Sequence, residues 1–293
     1  MNNLQLRKAE RRQAKMRVGI SGPSGSGKTY SALLLASGMT DWSKIALIDT
    51  ENGSGELYAD LGDYNVITLS APFSPSRYVE AIKACENAGM EVIIIDSATH
   101  EWDGDGGCLD IHSKMAGNSF TNWSKITPMH NSFIQAILQS KCHIITTTRR
   151  KQDYDMTQNN GKTTVTKVGL KEIQRDGFEY ELTLSFDIDI AHFAQAGKDR
   201  TGLFMDKPAF RITKETGKVI LDWASSGKEA IKIEYEPTET KDPVSTPLLD
   251  KLKAKADLKT INKVCGLNLK KIEHITQAQA TQCLILLMQH KND

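Results

Sequence analysis

The sequence predicts an α/β fold: a mainly parallel, twisted sheet with helices on both faces, antiparallel strands added late, and a small helical unit at the C-terminal end. Three observations predict it. Short, continuously apolar strands alternate with helical segments from residue 17 to about 148, the pattern of parallel βαβ units. A glycine-rich loop stands between the first strand and the first helix. A Pro/Thr/acidic stretch, residues 236–246, separates this core from a Lys-rich tail.

Each element has a local reason. Residues 1–16 form a basic arm, with Arg7, Lys8, Arg11, Arg12 and Lys15 against Glu10. It reads as a solvated extension or frayed helix, or as a contact for nucleic acid or a second subunit. The core, residues 17–235, starts with the short strand 18–21, then a helix from Lys28 that stops at Gly38. Residues 44–49 (KIALID), 65–69 and 91–96 (EVIIID) are apolar strands, covered on both faces. Ser74 and Pro75 open a helix that Gly89 stops. Residues 123–141 are helical, entered through Pro128, and 143–148 form the next strand. Residues 179–190 alternate, which predicts antiparallel strands with one wet face. Residues 210–223 read as a hairpin around Gly217. After the 236–246 linker, residues 247–293 make a small helical domain with eight Lys against four acids. Thr246-Pro247 opens it, and Thr276–Gln279 matches a capping box before Cys283, Leu284, Leu287 and Met288.

Composition removes several classes. The 293 residues carry 37 Lys+Arg against 36 Asp+Glu, so the chain is not a generally basic nucleic-acid coat and charge must be read by segment. Hydrophobic residues at 39% and charged residues at 25% exclude a disordered or collagen-like chain. Cys85, Cys108, Cys142, Cys265 and Cys283 are widely spaced with no C-x-x-C pair. They read as reduced thiols, neither a disulfide framework nor a zinc site. The longest apolar run, 283–288, is far short of the roughly 18–20 residues of a membrane span, and no secretion signal is evident. The expectation is a cytoplasmic chain with no membrane partner.

Gly22-Pro23-Ser24-Gly25-Ser26-Gly27-Lys28-Thr29 matches G-x-x-x-x-G-K-[ST] in full, directly after a strand and opening a helix. Glycines let successive backbone N–H groups face one anion, and the helix N-terminus adds partial positive charge. In such a loop Lys28 reaches the β- and γ-phosphates of ATP, and the Thr29 hydroxyl ligates Mg²⁺. Asp96, closing the strand Val92–Ile95, is the expected second metal anchor at the carboxyl edge of the sheet.

The stretch Lys44-Ile-Ala-Leu-Ile-Asp49-Thr50-Glu51 resembles the RecA-like ATPases, whose catalytic glutamate follows this strand in a pattern like F-I-D-A-E. The resemblance implies that Glu51 deprotonates the attacking water. Gly197-Lys198-Asp199-Arg200-Thr201-Gly202 looks like the K-N-R-F-G segment of the RadA-type branch. It implies that Lys198 and Arg200 reach a neighbouring subunit's nucleotide; a basic turn is the plain alternative. The wider resemblance, over residues 17–223, is to phage Sak-family single-strand annealing ATPases. It rests on GPSGSGKT, IALIDTENGSGELY, VIIIDSATHEW, HIITTTRRKQDY and KVGLKEIQRDGFEYELTLSFDI. What it implies is a RecA-like P-loop NTPase core, a homo-oligomeric ring or filament, and ATP-dependent action on single-stranded DNA beside a single-strand-binding protein, in the host cytoplasm. RecA has Asn-Gln where Thr146, Thr147 and Thr148 stand here. The rivals are a P-loop kinase of a small acceptor and a non-catalytic, ATP-regulated DNA-binding scaffold.

Residues 149–175 hold seven cations against three acids, with Tyr154 as a stacking face. Arg149, Arg150, Lys151, Lys162 and Lys167 are the candidate DNA contacts; a solvated hairpin is the alternative. Trp102 and Trp123 either stack bases or pack as half-buried core. The histidines show no metal spacing, and Phe193-Ala194-Gln195-Ala196 looks like a subunit-docking F-x-x-A but sits in an expected strand.

Overall fold

In the computed structural model, residues 6, 8–159, 162–229 and 246–265 are described, together with 272, 275, 280, 283, 284 and 287. The contacts divide the chain into two units, Met1–Ala230 and Ile231–Asp293.

The apolar strands of the first unit assemble into one eight-stranded sheet. The strands are β1 (Arg17–Gly22), β2 (Ile45–Asp49), β3 (Asn65–Thr68), β4 (Val92–Asp96), β5 (His143–Asn159), β6 (Lys162–Glu172), β7 (Leu184–Ile188) and β8 (Ala194–Asp199). Their order is β3-β2-β4-β5-β1-β7-β8, with β6 paired to β5. From β3 to β7 every pairing is parallel, while β8 and β6 run antiparallel to β7 and β5. The expected mainly parallel α/β core is therefore present. Side-chain alternation splits the strands between two cores. Ile45, Leu47, Val92 and Ile94 pack on one face. Ala46, Ile48, Ile93 and Ile95 pack on the other.

On the first face lie α1 (Lys28–Met39) and α7 (Lys214–Ser225). On the second lie α2 (Pro75–Asn87) and α5 (Ser119–Gln139), with Tyr78 and Phe133 in edge-to-face contact at 5.3 Å. Between β4 and α5 run two short helices, α3 (Thr99–Asp103) and α4 (Cys108–Ser113), and α6 (Phe178–Glu181) precedes β7.

Five expectations need correction. Residues 179–190 are not antiparallel strands throughout: 178–181 is helix α6, and β7 pairs in parallel with β1 and antiparallel only with β8. Residues 210–223 do not form a hairpin, because 214–225 is helix α7. Thr213 and Thr216 cap it reciprocally, and Thr216, Gly217, Ile220 and Ala224 are buried at helical spacing. Gly38 does not stop α1 but lies inside it. A Cβ on Gly38 would overlap the Lys214 carbonyl oxygen, and one on Gly217 would overlap that of Leu35. The two glycines let α1 and α7 touch backbone to backbone. Helix α5 starts before Pro128, at a cap where Asn118 Oδ1 accepts the Phe120 N–H at 2.8 Å. Finally, the arm is docked from Glu10 onward and is not a frayed helix. Arg11 lies 3.7 Å from the centre of the Trp223 ring, and the Gln13 N–H donates to the Lys228 carbonyl at 2.9 Å. Arg17 is buried and donates to the carbonyls of Ser140 (2.7 Å), Cys142 (2.8 Å) and Leu138 (3.0 Å), closing the C-terminal end of α5.

The second unit holds α8 (Thr246–Lys253) and α9 (Leu258–Cys265) and buries Leu252, Ile261, Ile275 and Leu287 together. Residues 236–245 of the expected linker, and the capping box at 276–279, lie outside the described residues.

Gly217→Ala gains helix propensity of about 1 kcal/mol yet must push α1 and α7 apart. It is expected to destabilise the core by about 3 kcal/mol, the upper range for overpacking, read as a lowered urea midpoint at unchanged slope.

His143 gives a pH dependence. Its Nδ1 accepts the Met16 N–H at 3.1 Å, and burial, helped by Lys15 and Arg17, pushes its pKa down to about 3. The folded state holds the ring neutral, so its contribution is complete above the ordinary value of 6.5 and is lost as pH falls toward 3. The Tm of the native chain should fall more steeply between pH 6.5 and 3 than that of His143→Gln, which keeps an acceptor and cannot titrate. Equal slopes would refute the assignment.

Candidate functional site

The site forms where β1, β2, β4 and β5 end, because parallel strands bring their carboxyl ends to one edge. Gly22–Gly27 connects β1 to α1, with Gly25 and Gly27 at φ of 80° and 83°. Such angles turn backbone N–H groups inward at no steric cost. Ser26 Oγ is fully buried and has no hydrogen-bond partner, a donor in place for an anion. The Lys28 ammonium donates to the Pro23 carbonyl at 2.9 Å. Burial lowers its pKa, and the charges of Asp96 and Glu51 oppose the shift.

Asp96 is 1% exposed. Thr29 donates to its Oδ2 at 2.7 Å, and Thr147 of β5 donates to its Oδ1. Burial still raises its pKa, with both hydroxyls opposing. A hydroxyl and a buried carboxylate this close are hard oxygen donors of the kind Mg²⁺ takes. Among the three threonines of 146–148, Thr147 thus meets Asp96, while Thr148 donates to Glu172.

Lys28, Thr29, Glu51 and Asp96 line one pocket of about 680 Å³, together with Ser24, Gly25 and Gly27. Glu51 accepts from Arg149 Nη2 at 2.9 Å and Nε at 3.0 Å. Asp49 is unsuited as an alternative base. It is fully buried, and its oxygens accept the N–H groups of Glu51 (2.6 Å) and Gly55 (2.9 Å), which fixes the turn that presents Glu51.

The remaining candidates are placed elsewhere. Lys198 donates to the carbonyls of Glu179 (2.8 Å) and Tyr180, and Arg200 to that of Tyr180 at 3.0 Å; neither lines this pocket. Asp199 between them accepts the N–H groups of Thr201 (2.6 Å), Phe204 (2.7 Å) and Met205 (3.0 Å), which holds the turn. Arg149 belongs to the pocket, not to a groove beyond it, and Arg150 pairs with Asp187 at 2.9 Å. Lys151 is exposed, and Lys162 and Lys167 lie in β6 with side chains outside those described. The polar stretch after Arg149 is the long hairpin of β5 and β6. Trp102 and Trp123 are half-buried and stack on each other at 5.8 Å, with His112 on the far face of Trp123. Phe193 packs under Arg211 at 5.2 Å, and Ala194 is fully buried.

Sequence reasoning missed several pocket residues, His192, Arg211 and Tyr58 among them. His192 sits at φ 68° with Nδ1 2.9 Å from the Ser26 carbonyl oxygen. Arg211 and Tyr58 also line the pocket. His192 and Arg211 belong to no local motif, and only the folded chain brings them to the loop; Tyr58 ends the stretch IALIDTENGSGELY, which carries no sign that its ring lines a pocket.

Among the described residues, no helix is long and apolar enough to cross a membrane. A search of curated proteins finds no match to this sequence. The sequence model of the AAA domain matches residues 14–213. That span opens just before β1 and closes at the cap of α7, so it contains the whole sheet and every pocket residue named above; the chain belongs to the AAA domain family of P-loop ATPases.

Proposed function

We propose that the chain hydrolyses ATP with Glu51 as general base, and couples turnover to single-stranded DNA as a RecA-like ATPase of annealing or recombination. The observation that carries the reading is the Glu51–Arg149 pair. It joins the candidate base to the residue from which the β5–β6 hairpin leaves the sheet.

Lys28 and the inward N–H groups of the loop hold the β- and γ-phosphates. Thr29 and Asp96 would hold Mg²⁺, which when bound supplies positive charge at the phosphate oxygens. Glu51 takes the proton of the attacking water. While Arg149 neutralises Glu51, that carboxylate is a poor base. A hairpin shift on DNA binding that draws Arg149 away leaves Glu51 free to act.

Lys198 and Arg200 lie outside their own pocket and would exchange the Glu179 and Tyr180 carbonyls for the nucleotide of a neighbour in a ring or filament. Arg149 and Arg150 are paired with Glu51 and Asp187, so the excess charge read from residues 149–175 is partly neutralised from outside that stretch. Lys151, Lys162 and Lys167 carry the proposed phosphate contacts, and a single-strand-binding protein is the expected companion on the strand.

Glu51→Gln should retain ATP affinity and lose kcat by roughly 100-fold or more, the scale of a missing general base. Arg149→Ala should make turnover independent of single-stranded DNA. Steady-state ATP hydrolysis with and without DNA decides both. Parental turnover in Glu51→Gln places the base elsewhere, and retained DNA stimulation in Arg149→Ala removes the coupling.

Lys151, Lys162 and Lys167 changed together to Ala should flatten the slope of log K for single-stranded DNA against log salt by about 2, from about 0.7 per phosphate contact. An unchanged slope moves the DNA site off the hairpin.

A further inference from the structure

We propose that Glu101, Cys108 and His130 form a binding site for a zinc-class divalent ion, separate from the nucleotide pocket. The three come from α3, α4 and α5 and converge with one ligand atom each inside 4.8 Å. Glu101 and Cys108 are fully buried, and His130 is 4% exposed. Their wide spacing in the sequence hides them from any ligand motif.

Three observations favour an ion over a plain hydrogen-bonded cluster. First, the separations come within a few tenths of an ångström of those around a shared centre. Cys108 Sγ lies 3.2 Å from Glu101 Oε1, and His130 Nδ1 lies 3.2 Å from both Glu101 oxygens. Zinc bonds of about 2.0–2.3 Å set tetrahedral ligand atoms roughly 3.3–3.7 Å apart. An imidazolium–carboxylate pair would be shorter, about 2.7–2.9 Å, and 3.2 Å to both oxygens is the long end of a neutral N–H···O bond. Second, the charges close. A carboxylate, a thiolate and a neutral imidazole offset a divalent ion, and a buried cluster needs that neutrality. Third, α3 and α4 have five and six residues. Helices that short do not persist alone and depend on what ties them down. An ion here would staple α3, α4 and α5 directly behind the strand that ends at Asp96. Three protein ligands leave one tetrahedral position for water.

The test uses the full chain without nucleotide. After chelation and dialysis, Co²⁺ is added as the spectroscopic probe. The expected result is one equivalent bound with a thiolate-to-cobalt charge-transfer band, displaced by Zn²⁺, and a Tm that rises with Zn²⁺ concentration. Cys108→Ser should abolish the band, and Cys142→Ser, a buried thiol outside the cluster, should keep it. Glu101→Gln and His130→Asn should weaken Co²⁺ binding by about 10-fold or more, the lower scale for disturbing a metal site. No band in the native chain, or a band that survives Cys108→Ser, overturns the proposal. If Cys108→Ser does not fold, Glu101→Gln and His130→Asn decide, and an unchanged titration in both overturns it. The nucleotide pocket has no thiol, so Co²⁺ bound at Thr29 and Asp96 cannot produce this band.

Discussion

A carboxylate buried to 1% exposure, Asp96, sets the terms for everything around it. Taking a charge out of water costs several kcal/mol unless partners meet it. Here the partners come from three directions: the hydroxyls of Thr29 on α1 and Thr147 on β5, and the field of the Lys28 ammonium. Strand β5 must lie between β1 and β4 for Thr147 to reach, and the register that aligns Ile95 with Thr146 supplies that. The phosphate loop is therefore tied, through Thr29 at its end, to the group that its metal would use.

The second constraint is the Glu51–Arg149 pair at the pocket mouth. Both partners are partly exposed, at 24% and 43%, so its net worth is small. It is therefore an interaction that a ligand or a moving hairpin can break. By contrast, Asp49, two residues before Glu51, is fully buried and locked to backbone. Neighbouring carboxylates thus divide into a buried one that shapes the turn and a partly exposed one that lines the pocket.

The sheet and the phosphate loop are legible in the sequence because both are local. Four apolar residues ending in Asp96, and eight residues of loop after the first strand, carry their meaning within one window. What is not legible depends on distant partners. Residues 214–225 look like strand and turn until Gly217 is seen against Gly38, since glycine is a poor helix former with no visible reason to sit mid-helix. The charge of 149–175 looks basic because Glu51 and Asp187 lie outside that window. Arg17 gives no sign of its burial in the sequence because the carbonyls it caps come from residues 138–142. His192 and Arg211 escape assignment for the same reason.

The glycine contact also bears on the site. Arg211 and Ile212 line the pocket, and Thr213 caps α7 immediately after them. One turn further, Gly217 seats on α1, whose first two residues are Lys28 and Thr29. Backbone packed against backbone has no side chain to yield, so α1 and α7 move together or not at all. The loop that holds phosphate and the wall that carries Arg211 are then one rigid body. Glu51 and Arg149 line the same pocket and are joined by a partly exposed pair that opens at little cost.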